Sequence, residues 1–156
     1  MNPAHIRTLM FFGEEKFNKL RSSFVAIFGL GGVGSYAAEA LARVGVGKLK
    51  IIDCDIIKKS NLNRQLFALT PDVGKPKSEV AKDRLKSIHP EIEIESHQAF
   101  FSKDTKNFLV TPDLDFVIDA VDSLNPKVEL IKHCIEKKIS YYFFNGSSSQ
   151  KRSFLS

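Results

Sequence analysis

The residues able to do chemistry in this sequence are a run of glycines and the charged side chains that follow them. Gly29, Gly31 and Gly34 stand as G-x-G-x-x-G with an extra glycine at Gly32, and Asp53 and Asp55 come after them. A polar run from Ser60 to Gln65 (SNLNRQ) carries Asn61 and Arg64. Lys77 closes GKPK, and Asp122 lies in DAVDS. Glycine permits a sharp turn and lets backbone N–H groups approach a phosphate where a Cβ would intrude. A carboxylate roughly 20 residues beyond such a turn can accept hydrogen bonds from ribose hydroxyls, which is the place of Asp53. These residues point to a nucleotide site. They leave open which nucleotide, because NAD and ATP folds share the device.

The elements that must hold these residues can be read from periodicity. Phe24–Phe28 is a short apolar run expected as a buried parallel strand. A helix over 35–44 follows, with Ala37, Ala40, Leu41 and Val44 inward and Gly45 or Gly47 to end it. Lys48–Ile52 reads as the second strand. A helix over 76–88 is expected to turn Val80, Leu85 and Ile88 inward. Lys77 falls in its first turn, where the helix dipole disfavours a cation and a nearby phosphate would reverse the sign. Glu91–Glu95 reads as an exposed or edge strand, 102–109 as a short helix, and Leu114–Ala120 as a further strand. Another helix begins at Asn125-Pro126 with Val128, Ile131, Cys134 and Ile135 inward. Ser140–Asn145 is the last strand, and Gly146–Ser149 reads as a polar loop. His89 and His97 read as surface histidines.

Ahead of all this, Asn2-Pro3 looks like a helix cap. Residues 1–22 form a helical arm broken near Gly13, with Leu9, Phe12, Phe17 and Leu20 apolar. Residues 23–156 form one α/β domain, a Rossmann-like and mainly parallel sheet with helices on both faces. Asp53, Asp55, the Ser60–Gln65 run and Asp122 all follow strand ends, on the rim where open sheets bind ligands. That rim would collect a ribose acceptor, cations for phosphate and carboxylates for Mg²⁺.

Bulk properties agree. The chain has 156 residues, 43% hydrophobic and 26% charged, with a net charge of +5 and a pI near 9.2. That suits one soluble domain with a modest preference for anionic partners such as ATP or RNA. Cys54 and Cys134 form no CxxC pair, so neither a disulfide framework nor a zinc site is expected. No apolar run is long enough for a membrane span and no signal-peptide pattern opens the sequence, so a cytoplasmic protein is expected.

GLGGVGS, D-x-D, SNLNRQ, GKPK and DAVDS, in this order, resemble the ThiF/MoeB/HesA superfamily of ATP-dependent adenylating enzymes, relatives of the ubiquitin-activating enzymes. AAEALARVGVG, the NRQ run followed by an LF-AL stretch, and DFVIDAVDS resemble the tRNA threonylcarbamoyladenosine dehydratase branch in particular. The resemblance implies that Gly29, Gly31, Gly32 and Gly34 form the nucleotide turn and that Asp53 holds the ribose. It implies that Asn61 and Arg64 approach the phosphates, with Ser60, Gln65 and Asp55 beside them, and that Lys77 binds the β/γ-phosphates. Asp122 would hold Mg²⁺, and Arg7 would reach into the site of the neighbouring subunit of a homodimer. The implied reaction is ATP-dependent adenylation of a carboxylate, the threonylcarbamoyl group of a modified adenosine in tRNA, followed by ring closure with loss of water.

Family members are longer, and after GSSS they continue with a D-P-T-like stretch where this chain reads QKRSFLS. The expectation is a nearly complete ATP half and a shortened acceptor half. Other readings remain at this stage: an activator of a ubiquitin-like sulfur-carrier protein, an NAD-binding dehydrogenase, and a non-catalytic nucleotide-binding fragment.

Overall fold

The short strand Phe24–Phe28 (β1) is apolar at every position, and it forms the centre of a six-stranded sheet. The computed structural model of the chain describes residues 3–145 and 148–152. Its other strands are Lys48–Ile52 (β2), Glu93–His97 (β3), Phe116–Asp119 (β4), Ser140–Asn145 (β5) and Ser148–Arg152 (β6). The spatial order is β3-β2-β1-β4-β5-β6. The first five strands are mutually parallel, and β6 runs antiparallel to β5.

The helices are Ile6–Phe12 (α1), Glu14–Ser22 (α2), Gly34–Val44 (α3), Lys77–Ile88 (α4), Lys106–Leu109 (α5) and Leu124–Lys137 (α6). Side chains alternate across β1, so it feeds two cores. Val25 and Ile27 join Leu49, Ile51, Ala38, Ala42, Ala81 and Leu85 under α3 and α4. Phe24, Ala26 and Phe28 join Val117, Leu130, Cys134 and Tyr141 under α6. The Glu39 carboxylate ties α3 to α4, accepting from Arg84 Nε at 2.6 Å and from Arg43 Nε at 2.9 Å. The Arg84 bond, aided by Arg43, keeps Glu39 below the usual carboxylate range against the opposing effect of burial.

This is the expected Rossmann-like sheet, with several local differences. The inward stripes are rotated. On α3 the buried positions are Gly34, Ser35, Ala38, Glu39 and Ala42 rather than Ala37 and Ala40. On α6 they are Lys127, Leu130, His133 and Cys134, while Val128 and Ile135 are exposed. Apolarity alone misplaces these faces because small or amphipathic residues fill the tight contacts to the sheet. Phe12 is likewise exposed, and Phe17 anchors the arm. The polar loop expected over Gly146–Ser149 is overturned at Ser148 and Ser149, which open the antiparallel strand β6. Gly146 and Ser147, and Asn2 of the expected N-terminal cap, lie outside the described residues.

His89 is not a surface residue. It is buried at the end of α4, edge-on to the buried His5 with ring centroids 4.7 Å apart. Burial first, then the charges of His5, Arg21 and Lys86, push its pKa down against the pull of Glu91. Burial also lowers His97 and His133. The unfolded chain takes up these protons near pH 6.5, and the folded chain only at lower pH. Stability is therefore full above about pH 6.5 and falls as the pH drops through that value. Calorimetry should show Tm falling from about pH 7.5 to about pH 5.5, with a smaller fall in His89→Phe.

Candidate nucleotide site

The strand order reverses between β1 and β4, and open parallel sheets form their ligand crevice at such a point. A cavity of about 330 Å³ lies there, lined by Gly29, Gly31, Asp53, Asp55, Asn61, Arg64, Gln65, Lys77 and Asp122 together with apolar residues. Nine candidate residues from five separate stretches of sequence thus share one wall. Four candidates do not line it. Gly32 lies under the Arg64 side chain, whose Cγ is 3.7 Å from where a Cβ would stand. Gly34 begins α3 and packs on the Gly29 carbonyl. Ser60 contributes its carbonyl oxygen, which accepts from Arg64 Nη1 at 2.9 Å. Arg7 is exposed on α1 and is absent from the lining.

The glycine turn is held from beneath. Gly29 has φ +86°, and a Cβ there would stand 2.7 Å from the Ala120 oxygen, so strand ends β1 and β4 meet backbone to backbone. Asp53 closes the turn from the other side. Its Oδ2 accepts from Leu30 N at 2.7 Å and its Oδ1 from Asp55 N at 2.8 Å. Each carboxylate oxygen keeps a second lone pair, so this structural duty is compatible with accepting ribose hydroxyls.

A buried serine links the turn to the polar run. Ser35 Oγ donates to the Gly31 carbonyl at 2.6 Å and accepts from Leu66 N at 3.1 Å. Asn61 organises that run. Its Oδ1 accepts from Lys58 N, and its carbonyl accepts from Gln65 N, each at 2.9 Å. What Asn61 can offer a ligand is therefore its amide N–H.

Lys77 reaches the cavity through a small backbone ladder. Ile57 N donates to Lys75 O at 2.9 Å and Lys77 N to Asp55 O at 3.0 Å, with Ile56 bridged to Pro76. Lys77 is only 6% exposed, its ammonium 3.5 Å from Asp55 Oδ2. Arg64 is exposed. The cavity therefore joins one sequestered cation to one exposed cation.

Sequence reasoning missed the apolar wall of Ala99, Phe100 and Phe101, which no motif marks. It also missed Ser35, whose signal was a hydroxyl directly after the last glycine. Cys54 lines the cavity as well, but burial and then Asp55 and Asp53 push its thiol pKa up. It is a poor nucleophile; its sulfur lies with carboxylate oxygens of Asp53 and Asp55 in a group whose ligand atoms fall within 4.8 Å of one another. Cys134 is buried, its pKa raised to about 12 by burial.

The ThiF family profile matches residues 4–151. The chain belongs to the ThiF family. Among ThiF-family relatives, the tRNA threonylcarbamoyladenosine dehydratase of Bacillus subtilis is 40% identical over 144 residues, covering 92% of this chain and 57% of that protein. The molybdopterin-synthase adenylyltransferase of Haemophilus influenzae is 35% identical over 134 residues, 86% of this chain and 54% of that protein. The crystal structure of the Escherichia coli tRNA N6-threonylcarbamoyladenosine dehydratase in complex with ATP superposes with a TM-score of 0.89 at 36% identity, covering 94% of this chain and 60% of that one. The chain thus spans little more than half the length of these relatives. No helix among its described residues is long and apolar enough to cross a membrane.

Proposed function

We propose that this chain forms the ATP-binding, adenylating part of a tRNA threonylcarbamoyladenosine dehydratase. The observation that carries the reading is the single crevice in which Arg64, Lys77, Asp53 and Asp122 converge on the glycine turn. The similarity to a dehydratase crystallised with ATP supports it.

A carboxylate resists attack because oxide is a poor leaving group. Here the threonylcarbamoyl carboxylate displaces pyrophosphate from the α-phosphorus of ATP, and an internal nitrogen then attacks the activated carbonyl and expels AMP. The net result is a ring and one water lost. The barrier to the first step is mainly charge on the phosphates. The glycine-turn N–H groups, Arg64 and Lys77 meet that charge, while Asp53 holds the ribose. Asp122 is exposed at the crevice lip. A hard oxygen donor there suits Mg²⁺, which binds through one or two carboxylates plus substrate phosphates and would supply charge neutralisation. No protein nucleophile is needed, in keeping with the raised Cys54 thiol.

The acceptor surface, the tRNA contacts and a homodimer belong to the same reading. Arg7, exposed on α1 and outside its own cavity, acts in trans on the partner's phosphates. A tRNA substrate implies work in the cytoplasm. The second reading, activation of a sulfur-carrier protein, is favoured by the molybdopterin-synthase adenylyltransferase relative. The deciding experiment is thermal shift with Mg-ATP and NAD side by side, followed by pyrophosphate exchange with threonylcarbamoyl-modified tRNA or carrier protein. Mg-ATP and not NAD should stabilise the chain, and Asp122→Asn should remove the Mg²⁺-dependent part of the shift. Stabilisation by NAD alone would sink the proposal.

A further inference from the structure

Beneath the Asp122 turn lies an ion pair that the adenylation chemistry does not use. Asp119 ends β4 and is 1% exposed; Lys127, the fourth residue of α6, is 5% exposed. Lys127 Nζ stands 3.0 Å from Asp119 Oδ2, and Asp119 Oδ1 accepts from Val121 N at 3.0 Å. The Lys127 ammonium also lies over the Phe143 ring, 5.8 Å from its centroid. Burial pushes the Asp119 carboxyl up, while the Val121 N–H and Lys127 oppose that shift.

A buried charge pair is a poor way to gain stability, because an apolar pair of similar volume does as well without the desolvation. What such a pair can do is fix geometry. Its two members flank the loop that faces the crevice, Ala120, Val121, Asp122 and Ser123. The loop's first residue is fastened too: Ala120 N donates to Phe28 O at 2.8 Å, and Gly29 rests on the Ala120 carbonyl. Asp122 itself is exposed, so its placement depends on the backbone that carries it. We infer that Asp119 and Lys127 are positioning residues, a clip between the end of β4 and the first turn of α6 that holds Asp122 at the distance from the glycine turn that a metal–triphosphate needs.

This rests on the nucleotide reading above, and its test separates the two. The Mg²⁺ concentration that gives half the ATP-induced thermal shift is measured for the full chain, together with AMP binding in EDTA, which needs no metal. Lys127→Met should raise the Mg²⁺ requirement about tenfold, since misplacement of about 1 Å can cost up to 100-fold. AMP affinity should stay within about twofold, and Lys127→Arg should restore the Mg²⁺ requirement to within about threefold. A wild-type Mg²⁺ requirement in Lys127→Met overturns the clip, as does an equal loss of ATP and AMP binding, which is the signature of a merely structural pair. Should Lys127→Met not fold, Asp119→Asn decides by the same two measurements. A wild-type chain that Mg-ATP does not stabilise overturns the nucleotide reading itself.

Discussion

Lys77→Ala should abolish most of the response to ATP while leaving a folded protein. Lys77 opens α4, and the Pro76 residue before it supplies no side-chain cap. The positive end of the helix dipole and the residue that carries the ammonium therefore fall at the same end of α4, a place that repels cations and attracts phosphate. Because the lysine is sequestered rather than solvated, its contact with a phosphate would be screened less than a surface pair. A charge-assisted hydrogen bond of that kind contributes roughly 1.5–3 kcal/mol, or about 10- to 150-fold in Kd. Calorimetric titration with Mg-ATP reads the loss directly. Asp55, whose carboxylate now meets Lys77 at 3.5 Å, is more than half exposed in its side chain and can turn to water when the partner is removed. Thermal stability should therefore change by no more than about 1 kcal/mol. If Arg7 works in trans, mixing Lys77→Ala with Arg7→Ala subunits restores pyrophosphate exchange in the hybrid sites that carry neither substitution. A variant that binds Mg-ATP as the wild type does would remove Lys77 from the site.

Much of this architecture was legible because the strongest local signals and the tertiary structure agree. Phe24–Phe28, Lys48–Ile52 and Ser140–Asn145 form strands over the expected residues, since short apolar or β-branched runs between turn residues have few other ways to bury themselves. The polar and glycine residues that line the crevice were legible as well. They follow strand ends, and a parallel sheet gathers its strand ends on one rim.

What was hidden depends on partners distant in sequence. Lys77 is buried because a ladder from residues 55–57 covers it. His89 is buried because the arm lays His5 on it. The Asp119–Lys127 pair sits where the pattern of α6 predicted apolar contact, since a long lysine stem can fill apolar space as well as a valine can. Helical stripes failed by about one position for a related reason. Where a helix lies close to a sheet, Ser35, Ala38 and Ala42 take the contact, and the larger neighbours are displaced to the flank.

The glycines show most plainly how one motif divides its labour, and their substitution gives the largest expected effect on folding. A Cβ at Gly34 would stand 1.8 Å from the Gly29 carbonyl oxygen and 2.8 Å from its carbon. Both are backbone atoms, and Gly29 is pinned in turn by its N–H to Ile52 O at 2.8 Å. Nothing flexible can yield, so Gly34→Ala must push the start of α3 off the end of β1. The cost should reach about 3 kcal/mol or more, a Tm lower by roughly 6–12 °C. Gly31 differs. A Cβ there meets only Gln65 Nε2, at 3.6 Å, an ordinary contact, but it would project where Gly31 lines the cavity. Gly31→Ala should therefore melt within about 2 °C of the wild type and lose Mg-ATP affinity at least about tenfold, because a methyl group on the turn holds phosphate away from the N–H groups. Thermal melts of the two variants with and without Mg-ATP separate the roles. An unshifted Gly34→Ala would contradict the close packing of β1 against α3, and full ATP binding by Gly31→Ala would move the triphosphate off the turn.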